Sequence, residues 1–378
     1  MARLLFTTVD GWHFWNHQMP LAEAALGAGH EVVVAAGADE HLPRIAAAGV
    51  EVRPLDLRRT RRPLDARRAL RELESLLRAE RPDLAQFSSV RAATLGGLAA
   101  RRAGVRRVVR VVTGRGYVFQ GAPAPLRWAV EALWRRGRSS GERCVFHNAA
   151  DRELFVRRGL ADPARSLVVP GSGVRIDATP PPPEPEGVPV VLYLGRMLAP
   201  KGLPELVRAS LALRADGVEH RLVLAGRPDP GSPQSLDAAT LERWQREGAA
   251  EWLGHRADVA PLLASCALLA LPTRYGEGLP RVLLEAAAAG RPVVASDAPG
   301  CRDAVLPGET GLLHPPGDEA TLAAALRELL LDREARVRMG AAARGRAERE
   351  FDTARVAARF AALYEELLAE ARPAADEE

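Results

Sequence analysis

The chain has 378 residues, 47% of them hydrophobic and 26% charged, with a formal net charge of +4. That length favours two domains of ordinary size, each able to bury its own core, and the composition is that of a soluble globular protein rather than a disordered one. No apolar run reaches the length of a membrane helix, the first eight residues read as a strand rather than a signal peptide, and the widely spaced Cys144, Cys266 and Cys301 make no metal pattern and read as reduced thiols of a cytosolic protein.

In chain order, the first half alternates short apolar strands with helices. Strands are expected at 3–9, 31–36, 50–54, 83–87, 106–111, 143–146 and 166–169, and helices at 21–28, 66–79 and 92–102. Such alternation implies a parallel sheet covered on both faces. A proline-rich run at 179–189 then reads as a stiff, extended linker. The second half repeats the pattern, with strands at 190–194, 221–225, 250–253, 267–271 and 292–295 and helices at 318–331 and 356–371. The fold expected is α/β, two doubly wound Rossmann-like domains, and the last three residues read as frayed.

Charge is divided unevenly. Residues 1–178 carry 29 basic and 18 acidic side chains, and the remainder 23 and 30. A cationic half suits an anionic partner such as a nucleic acid, an anionic membrane surface or a phosphorylated acceptor, although an arginine-biased composition produces some of this by itself. The run Arg58-Arg59-Thr60-Arg61-Arg62 reads as a solvated loop or a holder of lipid diphosphate. Residues 125–138, with Trp128, Trp134, Arg127, Arg135, Arg136 and Arg138, form an amphipathic helix that either packs on the sheet or lies at a membrane surface.

Chemistry concentrates in two stretches of the second half. In the first, a strand ends in Gly195-Arg196 and a turn carries Lys201-Gly202 into a helix. Of the 52 basic residues, Lys201 is the single lysine, and lysine binds phosphate as a point charge on a flexible stem. In the second, the strand 267–271 leads through Gly276-Glu277-Gly278-Leu279 to a helix with Pro280 in its first turn and Glu285 about two turns in. Open α/β sheets hold ligands at the carboxyl ends of their strands, and helix amino ends favour phosphate. Glu277 and Glu285 are either solvated charges or acceptors for the vicinal diols of a sugar and a ribose.

Together, Gly195-Arg196, Lys201-Gly202, Glu277-Gly278-Leu279-Pro280 and Glu285 resemble the family-4 retaining glycosyltransferases of GT-B fold. The resemblance covers nearly the whole chain. It implies that Arg196 and Lys201 hold the donor diphosphate, Glu277 the donor sugar and Glu285 the ribose, so that Arg196, Lys201 and Glu277 are the catalytic set. It further implies two domains facing across a cleft that closes to exclude water. The first (1–178) takes the acceptor, the second (190–355) takes the nucleotide sugar, and the last helix (356–378) crosses back to the first. His255 and Arg256 then lie against the nucleotide base. Gly11, after the first strand, lets backbone approach the donor.

Several smaller stretches are similar to the branch that elongates undecaprenyl-diphosphate-linked glycans in bacteria. They include His17-Gln18-Met19-Pro20-Leu21-Ala22, where that branch carries His-Arg, and Thr113-Gly114-Arg115-Gly116-Tyr117. His17, Gly114, Arg115 and Gly116 are thereby candidates for the acceptor site. His17 also reads as a capping or core residue, and the glycines as a tight turn. Asn148 reads as a helix cap, Cys301 as a small loop residue and His314 as packed in a turn. Neither half opens with Gly-x-Gly-x-x-Gly, which weighs against a dinucleotide oxidoreductase. No Asp-x-Asp pair or His cluster has metal spacing, so the expectation is a metal-independent transferase without cofactor. The resemblance implies a hexosyltransferase that uses a nucleotide sugar, UDP-linked, and a lipid-linked glycan, works on surface polysaccharide at the inner face of the cell membrane, and takes no nucleic acid as partner. In this fold retention is attributed to front-face attack, with the leaving phosphate taking the acceptor proton. Two alternatives stay open: a nucleotide-sugar epimerase of the same fold, and a non-catalytic protein binding sugar nucleotides or a membrane surface.

Overall fold

A computed structural model describes residues 1–57, 63–176 and 181–370. The arginine run at 58–62 and the last eight residues lie outside the described residues. The chain forms two compact domains, Met1–Gly173 with the carboxyl-terminal helix Thr353–Ala369, and Val174–Asp352.

The first domain is a parallel sheet of β1 (Arg3–Asp10), β2 (Glu31–Gly37), β3 (Glu51–Pro54), β4 (Leu84–Ser88), β5 (Val108–Val112), β6 (Glu142–Phe146) and β7 (Ser166–Val168), in the order β3-β2-β1-β4-β5-β6-β7. The chain runs outward from β1 and then returns to its other side, so strand order reverses between β1 and β4. Alternate side chains of a strand face opposite ways. Leu4 and Phe6 therefore join one core and Leu5 the other, all three fully buried. The Leu4 face is covered by the carboxyl-terminal helix, whose Val356, Phe360, Leu363, Tyr364 and Leu367 form one buried stripe. Each large apolar side chain so buried contributes about 1.5–3 kcal/mol before the entropy cost of ordering it. Tyr364 Oη donates to Gln86 Oε1 at 2.7 Å and stacks edge-on to Phe6.

The second domain orders β8 (Val190–Leu194), β9 (Arg221–Ala225), β10 (Glu251–Trp252), β11 (Leu268–Leu271), β12 (Val293–Ser296) and β13 (Gly311–His314) as β10-β9-β8-β11-β12-β13, again all parallel. Its strand order reverses between β8 and β11. Two elements go beyond the sequence reading. β13 pairs with β12, so His314 ends a strand rather than packing in a turn. There it is buried, its Nδ1 2.9 Å from the Pro315 carbonyl. The helix Arg333–Arg346 was also not expected.

The proline-rich segment is extended and also bound. Arg291 Nη2 donates to the carbonyls of Pro182 and Pro183, each at 3.1 Å, and Arg336 Nη2 lies 2.6 Å from Glu184 Oε1. Both arginines are buried. Residues 181–184 thus belong to the second domain's packing rather than hanging between domains.

The amphipathic helix is Ala124–Arg136. Its two tryptophans take opposite roles. Trp134 is fully buried and its Nε1 donates to the Leu160 carbonyl at 2.7 Å, whereas Trp128 is 61% exposed.

Candidate functional site

In the second domain the two chemical stretches leave the neighbouring strands β8 and β11, on either side of the reversal in strand order, where a doubly wound sheet opens a crevice. After β8, fully buried Tyr193 sends its hydroxyl to the Arg196 carbonyl at 2.9 Å, which ties the loop to its own strand. Burial holds that phenol protonated, well above its ordinary pKa. A short turn, Ala199–Lys201, ends at Gly202, which caps the helix Leu203–Ala215 in the left-handed region at φ 79°. A side chain at Gly202 would also run into the Pro272 carbonyl after β11. Glycine is therefore demanded twice at the junction of the two loops.

Lys201 Nζ is paired with Glu277 Oε1, and both side chains are mostly buried. The two residues expected at donor diphosphate and donor sugar thus meet each other directly. Arg196 reaches the other way, its Nη1 2.8 Å from Asp229 Oδ2 in the loop after β9. Gly278 and Leu279 complete the turn, with Leu279 buried. Pro280 sits one place earlier than expected. It is the N-cap of the helix Arg281–Ala288, in extended conformation, rather than a member of its first turn. Glu285 is consequently the fifth helical residue, in the second turn, and pairs with Arg281 Nε one turn back at 2.9 Å. His255 and Arg256 are exposed in the loop after β10. Cys301 begins the short helix after β12, and burial pushes its thiol well up, as it does Cys144; Cys266 is raised to about 12. All three are free and buried, hence poor nucleophiles.

Burial also pushes the Glu285 carboxyl above the ordinary glutamate range, against the pull of Arg281. The folded chain then keeps this proton at pH values where the unfolded chain has released it, so its contribution to stability falls as pH rises between the two pKa values. Glu285→Gln should therefore gain stability relative to the unmodified chain as pH climbs through that window, measured by urea unfolding at a series of pH values. A steady loss instead would mean that Arg281 keeps the carboxylate ionised.

In the first domain, Gly11 opens the helix Gly11–His17, capped by Asp10, whose Oδ1 accepts from the His13 N–H at 2.7 Å. Gly11 is packed against Asp39, whose carboxylate occupies the place a side chain would need. His17 Nδ1 lies 3.1 Å from Ser172 Oγ after β7, and its ring centroid is 4.8 Å from that of His13. Burial pushes the imidazole of His147, just after β6, down to about 4, with a smaller contribution from His13. His13 and His147 were missed as a group, because their only sequence signal is a shared position at strand ends. Arg115 Nε donates to Asp151 Oδ1 at 2.5 Å, between Gly114 and Gly116, both at positive φ. Asn148 caps the helix Ala149–Arg157 as expected, with Oδ1 accepting from the Asp151 N–H at 2.7 Å. Among the described residues, no group of three or more His, Cys, Asp or Glu is placed to hold a metal ion, and no helix is long and apolar enough to cross a membrane.

Two doubly wound parallel sheets, the second with paired cations and carboxylates where its strand order reverses, define a two-domain α/β protein. Residues 15–172 match the glycosyl transferase 4-like domain, and residues 188–332 match the glycosyl transferases group 1 model. The chain belongs to the glycosyltransferases of GT-B type. It is 26% identical over 383 residues to the N,N'-diacetylbacillosaminyl-diphospho-undecaprenol alpha-1,3-N-acetylgalactosaminyltransferase of Campylobacter jejuni, covering 97% of this chain and 99% of that one. It is 37% identical over 178 residues to a glycogen synthase of Mycobacterium tuberculosis, but spans only 42% of that protein's length. Among solved structures, Anabaena Alr3699/HepE in complex with UDP shares the fold at a TM-score of 0.76, with 19% identity over 97% of this chain and all of that one.

Proposed function

We propose that this glycosyltransferase moves a sugar from a UDP-sugar to a hydroxyl of a lipid-diphosphate-linked glycan, with retention at the anomeric carbon and without a metal ion, in surface-polysaccharide assembly. The observation that carries the donor half is the Lys201–Glu277 pair, which joins the stretches that follow the neighbouring strands β8 and β11. The Campylobacter relative named above, similar end to end, supports the acceptor half. The HepE complex supports UDP.

Breaking the bond from sugar to diphosphate places negative charge on the leaving group. Arg196, Lys201 and the amino end of the helix Arg281–Ala288 would stabilise that charge electrostatically, in positions set before the reaction begins. Glu277 would accept hydrogen bonds from the donor sugar and Glu285 from the ribose. The leaving phosphate would take the acceptor proton, so the reading asks for no separate base. His17, Gly114, Arg115 and Gly116 would receive the acceptor in the first domain. The exposed Trp128 and Leu126 on an arginine-rich helix support work at an anionic membrane face.

The test is thermal unfolding with UDP, GDP, ADP and dTDP, with and without EDTA, followed by sugar transfer to a lipid-linked acceptor and flotation with phosphatidylglycerol vesicles. A ligand at a hundredfold excess over its Kd stabilises the folded state by about 2.7 kcal/mol. UDP stabilisation that survives EDTA, and product formed on the acceptor, are the results expected. Indifference to every nucleotide would defeat the donor site. Turnover without acceptor would favour an epimerase, nucleotide binding without turnover a non-catalytic protein, and failure to float would remove the membrane face.

A further inference from the structure

We propose that Asp229 is a positioning residue for Arg196, presetting the guanidinium that receives the donor diphosphate. The inference rests on the reading of Arg196 as a diphosphate ligand. Arg196 has a long side chain that is 61% exposed. Its partner is held firmly. Asp229 Oδ1 accepts from the Gly231 N–H at 3.1 Å, leaving Oδ2 to meet Arg196 Nη1 at 2.8 Å. The Asp229 N–H donates to Ser235 Oγ at 2.8 Å, and its carbonyl accepts from the Ser232 N–H at 2.9 Å.

The loop that carries Asp229 is itself laced to the loop that carries Arg196 and Lys201. Met197 N–H donates to the Arg227 carbonyl at 3.1 Å, Leu236 N–H to the Met197 carbonyl at 2.8 Å, and Ala199 N–H to the Gln234 carbonyl at 2.9 Å. Leu198 and Ser235 form an antiparallel bridge. The β9 loop therefore works as a brace for the β8 loop, and Asp229 is the point where the brace touches a functional side chain. An exposed ion pair adds little to folding stability, so a carboxylate aimed this carefully at a mobile arginine is better explained by what the arginine must do. Immobilising a rotamer-rich side chain on binding has an entropic cost. Asp229 imposes part of that order in advance.

The experiment is UDP titration calorimetry on the full chain and on Asp229→Asn, Asp229→Glu, Arg196→Ala and the Asp229→Asn/Arg196→Ala double variant, with thermal unfolding of each. From the cost of ordering one such side chain, Asp229→Asn should weaken UDP by about 2- to 12-fold without moving the unfolding temperature. Asp229→Glu should recover part of the loss. In the Arg196→Ala background the Asp229→Asn change should cost nothing more, since coupled residues are not additive. Ser235→Ala, which removes one support of Asp229, should act in the same direction and more weakly. An equal loss in both backgrounds would overturn the inference, and so would tighter UDP binding by Asp229→Asn, which would make Asp229 a competing anion. Undiminished UDP binding by Arg196→Ala would overturn both this inference and the donor-site reading. A weakened Arg196→Ala beside an unaffected Asp229→Asn would overturn this inference alone.

Discussion

Lys201→Ala is expected to weaken UDP binding or slow sugar transfer by roughly 10- to 150-fold, the loss of one charge-assisted contact of about 1.5–3 kcal/mol. The ammonium is tied to Glu277, and both side chains are largely shielded from water. The substitution therefore also removes a counter-charge from the mostly buried Glu277 carboxylate, which costs stability. Lys201→Ala combined with Glu277→Gln separates the two effects. The double variant should regain folding stability relative to Lys201→Ala, yet not nucleotide affinity. Calorimetry with UDP and thermal unfolding read these out independently. Lys201→Arg tests the ammonium itself. A guanidinium keeps the charge but brings a wider, planar fork, so an undamaged Lys201→Arg variant would show that charge alone suffices. Normal binding and turnover in Lys201→Ala would remove Lys201 from the site.

Arg110→Met is expected to destabilise the first domain by about 3–5 kcal/mol, the usual result of removing one partner from a buried ion pair. Arg110 lies in the middle of β5 and is fully buried. Its Nη2 is 2.8 Å from Glu142 Oε2 on β6, its Nη1 donates to the Trp134 carbonyl at 3.1 Å, and Nη2 also donates to the Gly137 carbonyl. The guanidinium lies over the Trp134 ring, 4.7 Å from its centroid. It thereby pins the end of the helix Ala124–Arg136 to the sheet. The tight fit explains Gly97, where a side chain would overlap the guanidinium. Burial pushes the Glu142 carboxyl up even with Arg110 beside it, so without Arg110 it would lose its closer counter-charge and keep Arg138 at 3.7 Å. Replacing both partners, Arg110→Met with Glu142→Leu, should cost less than either single change, because neither member of the buried pair is left behind. Urea unfolding measures the loss, and UDP calorimetry at low temperature should show the second domain's site unchanged. A double variant less stable than the single one would mean that the pair itself is net stabilising.

Much of the architecture was legible because strands and helices carry different periods. The strands β8 and β9 match their expected ranges residue for residue, and most others do so within a few residues. β13 escaped because Gly311–His314 has only two central apolar residues, Leu312 and Leu313, and its identity comes from pairing with β12. The start of the helix Arg281–Ala288 was misplaced by one residue because proline is at home both as a cap and in a first turn. Only backbone geometry at Pro280 separates the two.

The sequence by itself determined the two doubly wound domains, the strand ends that carry the candidate residues, and the single lysine at one of them. These follow from local signals: apolar period, glycine and proline at turns, and residue types scarce enough to stand out. Tertiary structure alone decided which charges meet. Among 51 arginines no local pattern says that Arg196 faces Asp229, that Lys201 faces Glu277, or that Arg110 is the one buried in a strand. It likewise decided that His13 packs against His17, and that the proline-rich segment is gripped by Arg291 and Arg336. Partner choice depends on which loops the strand order brings side by side and on how far each site is shielded from water. Both are properties of the assembled sheet, and no short stretch of chain carries them.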